Sequence, residues 1–224
     1  MRLTRVTITG ADDGVDPRAL AELGEKYPFV EWALLLSKKH FGEARYPSTR
    51  WLLEAPKVLG FERLSYHLCG EFARRVMGGD PSMVPREVKR LQLNGFSGYR
   101  LPCLVAAEMC QELEFILQIN SVEALTHASE LRGQRTNIVA LWDPSGGLGI
   151  SLQETWYPKT VPPHIPLGYA GGITEHNIED TIAALCSGSG AATWIDLESG
   201  ARTDDKFDIA KVERILKLAA PFIR

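Results

Sequence analysis

The chain lacks an apolar segment long enough to cross a membrane. None of its apolar runs approaches the roughly 20 residues that a spanning helix needs. The polar start, Met-Arg-Leu-Thr-Arg, also lacks the apolar centre of a secretory signal. Of the 224 residues, 45% are hydrophobic, which is typical of a globular chain with a substantial core. We therefore expect one soluble domain over residues 1–224, located in the cytoplasm and without a membrane partner.

Cysteine is scarce, and its spacing does not suit metal or disulfide chemistry. The four cysteines, Cys69, Cys103, Cys110 and Cys186, show no CxxC pattern. Neither a zinc site nor a disulfide framework is therefore indicated. We expect reduced thiols in the core, no metal and no cofactor.

Charge of one sign is not in excess either. The formal net charge is -3, from 25 basic and 28 acidic residues, and no long basic run predicts a nucleic-acid or lipid surface. The first strand-like run is followed by Gly-Ala-Asp-Asp-Gly at 10–14, which is not the GxGxxG fingerprint of a dinucleotide site. We expect a small-molecule partner, no nucleic acid, and a monomer or a homodimer.

Strand-like and helix-like runs alternate along the chain. The strand-like runs are 3–9, 29–36, 63–68, 88–93, 114–119, 137–142, 165–170 and 191–197. The clearest helix-like runs are 174–185 and 209–219, with Thr174 and Asp208 as the expected N-caps. Parallel strands need helical crossovers and are buried on both faces. The alternation therefore favours an α/β fold, a closed (β/α)8 TIM barrel, over a doubly wound open sheet.

Two glycine-bearing turns follow the last two strand-like runs. They are Ala-Gly-Gly-Ile-Thr at 170–174 and Asp-Leu-Glu-Ser-Gly at 196–200. Glycine lets backbone N–H groups approach an anion, and a helix N-terminus adds favourable partial charge. Barrel enzymes commonly hold phosphate at their last two βα turns. The sequence therefore predicts a phosphate site at Gly171, Gly172, Ser199 and Gly200.

Residues at the carboxyl ends of barrel strands face the pocket, so polar side chains there are candidates for the chemistry. We favour Asp143 as a general acid or base and Asp196 as a contact to the substrate. The full set of strand-end candidates is Thr9, Ser37, Lys38, His67, Cys69, Asn94, Asn120, Asp143, Gly171 and Asp196.

Four segments, in chain order, resemble phosphoribosylanthranilate isomerase, a barrel enzyme of the tryptophan pathway. They are Val-Thr-Ile-Thr-Gly at 6–10, Leu-Gln-Leu-Asn-Gly at 91–95, Gly-Gly-Ile-Thr-Glu-His-Asn-Ile at 171–178, and Ile-Asp-Leu-Glu-Ser-Gly-Ala-Arg-Thr-Asp at 195–204. The likeness spans nearly the whole chain, and the last two segments carry most of it. It implies an Amadori-type aldose–ketose isomerisation of a phosphorylated sugar or amino-sugar, with an Asp and a Cys as general acid and base.

The resemblance assigns roles residue by residue. Asp143 matches the catalytic Asp, and Arg45 matches the Arg that binds the anthranilate end of the substrate. Thr9 stands in place of the catalytic Cys, and its hydroxyl needs an activating group to act as a base at neutral pH. Asn94 replaces a His, and an amide orients a hydroxyl but cannot shuttle a proton. We therefore expect Thr9 in the catalytic set and Arg45 and Asn94 in substrate binding.

The base that Thr9 cannot supply has one leading candidate. A histidine titrates near neutrality in its ordinary state, so His67 at the end of the third strand would fit, although a satisfied barrel histidine explains it equally well. Two other functions stay open. One is a lyase or aldolase that forms a Schiff base at Lys38 or Lys39, and the other is a non-catalytic protein that binds a phosphorylated ligand.

Overall fold

An eight-stranded parallel barrel forms the centre of the molecule. The computed structural model describes residues 2–95, 111–145, 161–162, 164–186 and 192–223. The barrel strands pair in chain order, and β8 pairs with β1 to close the ring. They are β1 (Arg2–Thr9), β2 (Val30–Leu36), β3 (Leu64–Leu68), β4 (Arg90–Leu93), β5 (Glu114–Ile119), β6 (Ile138–Trp142), β7 (Leu167–Ala170) and β8 (Ala192–Leu197). The predicted α/β barrel is confirmed, and each strand overlaps one predicted run.

Helices connect the strands on the outside of the barrel. In the described ranges they are α1 (Pro17–Lys26), α2 (Thr49–Leu59), α3 (Glu71–Met77), α4 (Val122–Gln134), α5 (Ile178–Cys186) and α6 (Ile209–Ala219). A short antiparallel pair, β9 (Arg202–Thr203) and β10 (Lys206–Phe207), precedes α6. None of these described helices has the length and apolar character to span a membrane. Cys103 and Cys110 lie outside the described residues.

Short polar side chains fix where the last two helices begin. Asp208 caps α6, as predicted, by accepting from the backbone N–H three residues on at 2.9 Å. The preceding helix differs from the prediction, because it begins at Ile178 and not at Thr174. There Asn177 Oδ1 accepts from the Thr174 N–H at 2.8 Å, and Asn177 Nδ2 donates to the Gly172 carbonyl at 2.9 Å. Residues 174–177 therefore form a turn that ties the start of α5 to the glycine turn after β7.

A buried ion pair lies at the amino-terminal end of the barrel. Arg90 Nη1 donates to both Glu31 oxygens, at 2.6 and 2.8 Å, and the guanidinium lies 4.8 Å from the Trp194 ring. Burial by itself raises the pKa of Glu31, but the charges of Arg90 and Arg5 lower it to about 2. Glu31 therefore stays ionised at neutral pH, and a fixed charged cluster occupies the end of the barrel where the strands begin.

Glycine is required at position 168 because of the indole of Trp194. The two residues are partners in the β7–β8 pairing, and a Cβ added at Gly168 would fall inside the Trp194 ring. The ring packs in the barrel interior on Ile116, Val139 and Leu141. A side chain at 168 would therefore displace the indole from both the core and Arg90.

We predict that Gly168→Ala destabilises the protein, while Gly133→Ala does not. Overpacking a core costs about 1–3 kcal/mol in the free energy of unfolding, and nothing lies within 4 Å of a Cβ added at Gly133 in α4. Replacing that exposed helical glycine should be neutral or stabilise by about 0.5–1 kcal/mol. Urea unfolding of both variants measures the difference, and equal midpoints would contradict the close packing at 168.

Candidate active site

The polar strand ends gather in one pocket at the carboxyl end of the barrel. Nine of the predicted site residues line this pocket: Thr9, His67, Asn94, Asp143, Gly171, Gly172, Asp196, Ser199 and Gly200. A second space of about 480 Å³ adjoins it and shares Asn94, Gln118 and Asp143 with the first. Tyr46, Cys69 and Asn120 complete this second wall. The predicted residues that line neither space are Ser37, Lys38, Lys39 and Arg45.

The two glycine turns lie against each other at one side of the pocket. Gly171 and Gly172 have φ values of 103° and 61°, which L-residues with side chains rarely adopt. A Cβ added at Gly200 would collide with the carbonyl of Ile173, so the second turn approaches the first as closely as a backbone can. The side of the pocket that they form is mostly main chain, which suits the binding of an anion by N–H groups.

Thr9, His67 and Asp196 meet in the wall between β1, β3 and β8. Thr9 Oγ1 donates to Asp196 Oδ1 at 2.6 Å, whereas His67 Nδ1 lies 3.9 Å from Asp196 Oδ2, beyond hydrogen-bond distance. All three side chains are buried. Each of these residues was predicted to lie at a strand end. Closure of the barrel pairs β1 with β8 and so brings Thr9 next to Asp196.

Burial controls the protonation of this wall. It raises the pKa of Asp196 to about 8, with the nearby charges of Glu198, Glu31 and Asp143 adding to the effect and the Thr9 hydrogen bond opposing it. It lowers the pKa of His67 to about 3. Asp196 and His67 are therefore both neutral between these two values, and their contact is not an ion pair. The low pKa does not favour His67 as a base at neutral pH.

Each carboxyl oxygen of Asp143 accepts a hydrogen bond from a neighbouring side chain. Gln118 Nε2 donates to Oδ2 at 2.8 Å, and Ser145 Oγ donates to Oδ1 at 2.6 Å. Gln118 is itself fixed, because its Oε1 accepts from the Gly95 N–H at 3.1 Å. These two donors fix the orientation of the Asp143 carboxyl group. Gln118 was not predicted from the sequence, although a polar residue within the apolar strand β5 could have indicated a site residue.

Two side-chain amides in the pocket lining, those of Gln92 and Asn94, are joined by a hydrogen bond. Gln92 Nε2 donates to Asn94 Oδ1 at 2.9 Å, and Asn94 Nδ2 donates to Cys69 Sγ at 3.2 Å. Burial raises the pKa of the Cys69 thiol and raises that of Tyr46, which bonds to it, to about 12. The thiol is therefore protonated at neutral pH and is a poor nucleophile. Gln92 and Tyr46 were not predicted from the sequence.

Arg45 binds protein carboxylates at the rim of the site. Its guanidinium donates to Glu198 Oε1 at 2.8 Å and to Asp205 Oδ1 at 2.8 and 3.0 Å. Its φ of 75° is unusual for a side-chain-bearing residue, and its N–H donates to Asp12 Oδ2 at 2.8 Å. Nη1 also lies 3.4 Å from Ser199 Oγ. Arg45 therefore holds the second glycine turn in place.

The two lysines considered for Schiff-base chemistry lie outside the pocket. Lys38 Nζ pairs with Glu71 at 3.0 Å with its side chain mostly exposed, and Lys39 is exposed as well. Neither lies in the lining of either space. Within the described residues, no three His, Cys, Asp or Glu side chains form a group that could hold a metal ion.

Comparisons with known proteins show the fold. No protein-family model and no curated protein matches this chain. A truncated 3-deoxy-D-arabino-heptulosonate 7-phosphate synthase from Thermotoga maritima is similar, with a TM-score of 0.63, 15% identity and coverage of 98% of this chain and 87% of the other. N-(5'-phosphoribosyl)anthranilate isomerase from Pyrococcus furiosus is similar at a TM-score of 0.58 and 13% identity, with 97% and 99% covered. Thiamine phosphate pyrophosphorylase from Pyrococcus furiosus follows at 0.57 and 14%, with 99% and 98% covered. At these identities the likeness establishes the TIM-barrel fold alone.

The raised pKa of Asp196 predicts how the free energy of unfolding depends on pH. Its pKa rises from 3.8 in the ordinary state to about 8 in the folded protein, so the folded state keeps a proton that the unfolded chain releases between these values. The contribution of this proton to the free energy of unfolding is therefore fully present below pH 3.8. It is lost as the pH rises through about 8. We expect its slope to approach about 1.4 kcal/mol per pH unit.

Urea unfolding from pH 5 upward, compared with Asp196→Asn, isolates this contribution from that of other groups. The variant should lose the downward slope, while Asp204→Asn, at an exposed position, should keep it. Identical slopes in the wild type and Asp196→Asn would show that Asp196 is ionised in the folded protein.

Proposed function

We propose that this protein is an isomerase that acts on a phosphorylated sugar or amino-sugar. The observation that carries the proposal is the single pocket in which two carboxyl groups, Asp143 and Asp196, face the paired glycine turns. Aldose–ketose isomerisation needs an acid and a base acting on one substrate, and two carboxyl groups in one pocket can supply both. The resemblance of the sequence to phosphoribosylanthranilate isomerase supports the same class of reaction.

The two carboxyl groups act in different steps, Asp196 as the acid and Asp143 as the base. Asp196, whose pKa is raised by burial to about 8, carries a proton at neutral pH and gives it to the ring oxygen as the C1–O bond breaks. Asp143, oriented by Gln118 and Ser145, removes the proton from C2 of the opened sugar. When the ring opens, the anomeric hydroxyl gives its proton to the Asp196 carboxylate, so this group can protonate the C1 oxygen as Asp143 takes the C2 proton. Asp143 then returns its proton to C1 while the C2 hydroxyl gives its proton to Asp196. The carbonyl has then moved from C1 to C2, and both carboxyl groups are back in their starting state. Thr9 keeps the Asp196 carboxyl in position throughout.

The glycine turns hold the phosphate of the substrate. Gly171 and Gly172 carry positive φ values, and Ser199 and Gly200 lie beside them in the lining of the same pocket. Binding through main-chain donors needs no nearby lysine or arginine. Placing the phosphate here fixes the sugar carbons between the turns and Asp143.

The alternatives make different predictions. A lyase that uses Lys38 is disfavoured by the ion pair of that side chain with Glu71 and by its position outside the pocket. A non-catalytic binding protein would bind a sugar phosphate and leave it unchanged. Turnover therefore separates an enzyme from a binding protein that uses the same pocket.

Asp143→Asn should lower kcat by about 10²–10⁴-fold, the usual contribution of a positioned acid or base. The assay follows phosphoribosylanthranilate by its fluorescence, and pentose and hexose phosphates by chromatographic separation of aldose from ketose. The amide keeps the size of the side chain and can still accept from Gln118, so the pocket should persist. Asp204→Asn, at an exposed position, is the matched control and should leave turnover unchanged.

Three results bear on the proposal. Turnover that survives in Asp143→Asn would remove Asp143 from the chemistry. A wild type that binds these compounds without converting any of them would favour the binding protein. An inactive wild type that gains turnover of phosphoribosylanthranilate as Thr9→Cys would show that the pocket is built for another substrate.

Gly200→Ala should weaken phosphate binding by at least about tenfold, equivalent to about 1.4 kcal/mol. The added methyl would collide with the Ile173 carbonyl and push the two turns apart. Equilibrium dialysis with inorganic phosphate measures the change, with Gly133→Ala as the control glycine replacement. Unchanged affinity in a folded Gly200→Ala variant would contradict a phosphate site built from both turns.

A further inference from the structure

Away from the glycine turns, the described lining of the pocket contains carboxyl groups but no lysine or arginine. The donors of Thr9, Asn94 and Gln118 are directed to protein acceptors. Carboxyl groups enter this lining from three residues, Asp143, Asp196 and Glu198.

One buried acceptor in this wall has no partner. Gln92 is 3% exposed, and its Oε1 has no hydrogen bond within the described part of the chain. In this structure Gln92 Nε2 donates to Asn94 Oδ1, and Asn94 Nδ2 donates to Cys69 Sγ. The amide chain thus ends on an oxygen at the pocket. An unpaired buried acceptor is costly, and a ligand that donates to it removes the cost.

The charge around the pocket favours a cation at this place. The Arg45 guanidinium contacts the second glycine turn at Ser199, and it is bound to Glu198 and Asp205. An anthranilate carboxylate would therefore meet the carboxyl groups of the pocket without a basic side chain from the described lining. A protonated amine would meet the opposite situation, because the carboxyl oxygens of the pocket and the Gln92 oxygen can accept its hydrogen bonds.

We infer that the substrate is a sugar phosphate that carries a protonated amine, and that Gln92 Oε1 accepts a hydrogen bond from this ammonium group. The inference rests on the proposed function, since it assumes that the glycine turns hold the phosphate of the same molecule. It narrows the substrate to an aliphatic amino-sugar phosphate, with an anionic end at the turns and a cationic end at β4. If the amine is on C2, the same proton transfers give a C2 imine, which water hydrolyses to the ketose phosphate and ammonia. A charge-assisted hydrogen bond to a buried acceptor is strong enough to discriminate between an amine and a hydroxyl group.

The test compares sugar phosphates that differ only at one nitrogen. Glucosamine 6-phosphate, glucose 6-phosphate and N-acetylglucosamine 6-phosphate are titrated into the wild-type protein and followed by their ³¹P resonances, at a pH where the free amine is protonated. A second pair, 2-amino-2-deoxyribose 5-phosphate and ribose 5-phosphate, covers the shorter sugar, and inorganic phosphate serves as the reference. We expect each amine to bind at least about tenfold more tightly than its hydroxyl counterpart.

Gln92→Met then assigns the preference to one atom. It keeps the length of the side chain but removes the carbonyl oxygen, so the preference for the amine should fall by about tenfold while inorganic phosphate binds as before. Gln134→Met, at an exposed position, is the control and should keep the preference. The wild-type comparison stands without the variant if Gln92→Met does not fold.

The failures are distinguishable. Equal binding of amine and hydroxyl compounds, or tighter binding of the hydroxyl compound, would overturn the inference and leave the phosphate site intact. Absence of binding by all the sugar phosphates and by inorganic phosphate would overturn the proposed function and the inference with it.

Discussion

Closure of the barrel places β1 against β8, and the candidate site is organised around this seam. The Thr9–Asp196 hydrogen bond crosses it with a separation of 187 residues in the chain. Because all eight strands are parallel, the same closure brings Asp143, His67 and the two glycine turns to one edge of the sheet. Their approach depends on strand pairing, and no local feature of the sequence would bring them together.

Burial gives the pocket its chemical character. It keeps Asp196 protonated and His67 uncharged at neutral pH, so the wall holds a proton donor where an exposed carboxyl would be ionised. At the other end of the barrel, Glu31 is equally buried but stays ionised, because Arg90 and Arg5 face it. Two buried carboxyl groups thus take opposite protonation states according to whether a guanidinium is in contact. The site is prepared for proton transfer, whereas the amino-terminal cluster stabilises the interior.

The sequence predicted the barrel because short runs of apolar or β-branched residues, such as Val-Glu-Trp-Ala-Leu-Leu-Leu of β2, recur along the chain and alternate with helix-like stretches. The strand-end positions of Asp143 and Asp196 followed from the same pattern. The contact of Arg90 with Glu31, 59 residues away, could not be predicted, since a single sequence carries no information on which charged residues meet across a barrel. Arg45 was predicted from the resemblance, and its ion pairs with Glu198 and Asp205 depend on loop geometry that the resemblance does not specify.

Binding of an anion by the two glycine turns is the claim on which the proposed chemistry depends. Amide ¹H–¹⁵N spectra recorded during a titration with inorganic phosphate test it most directly. The account predicts that the amide signals of Gly171, Gly172, Ser199 and Gly200 shift together along one saturation curve, since one anion would contact both turns. Shifts confined to other parts of the barrel, or no shift in these four signals at saturating phosphate, would contradict it.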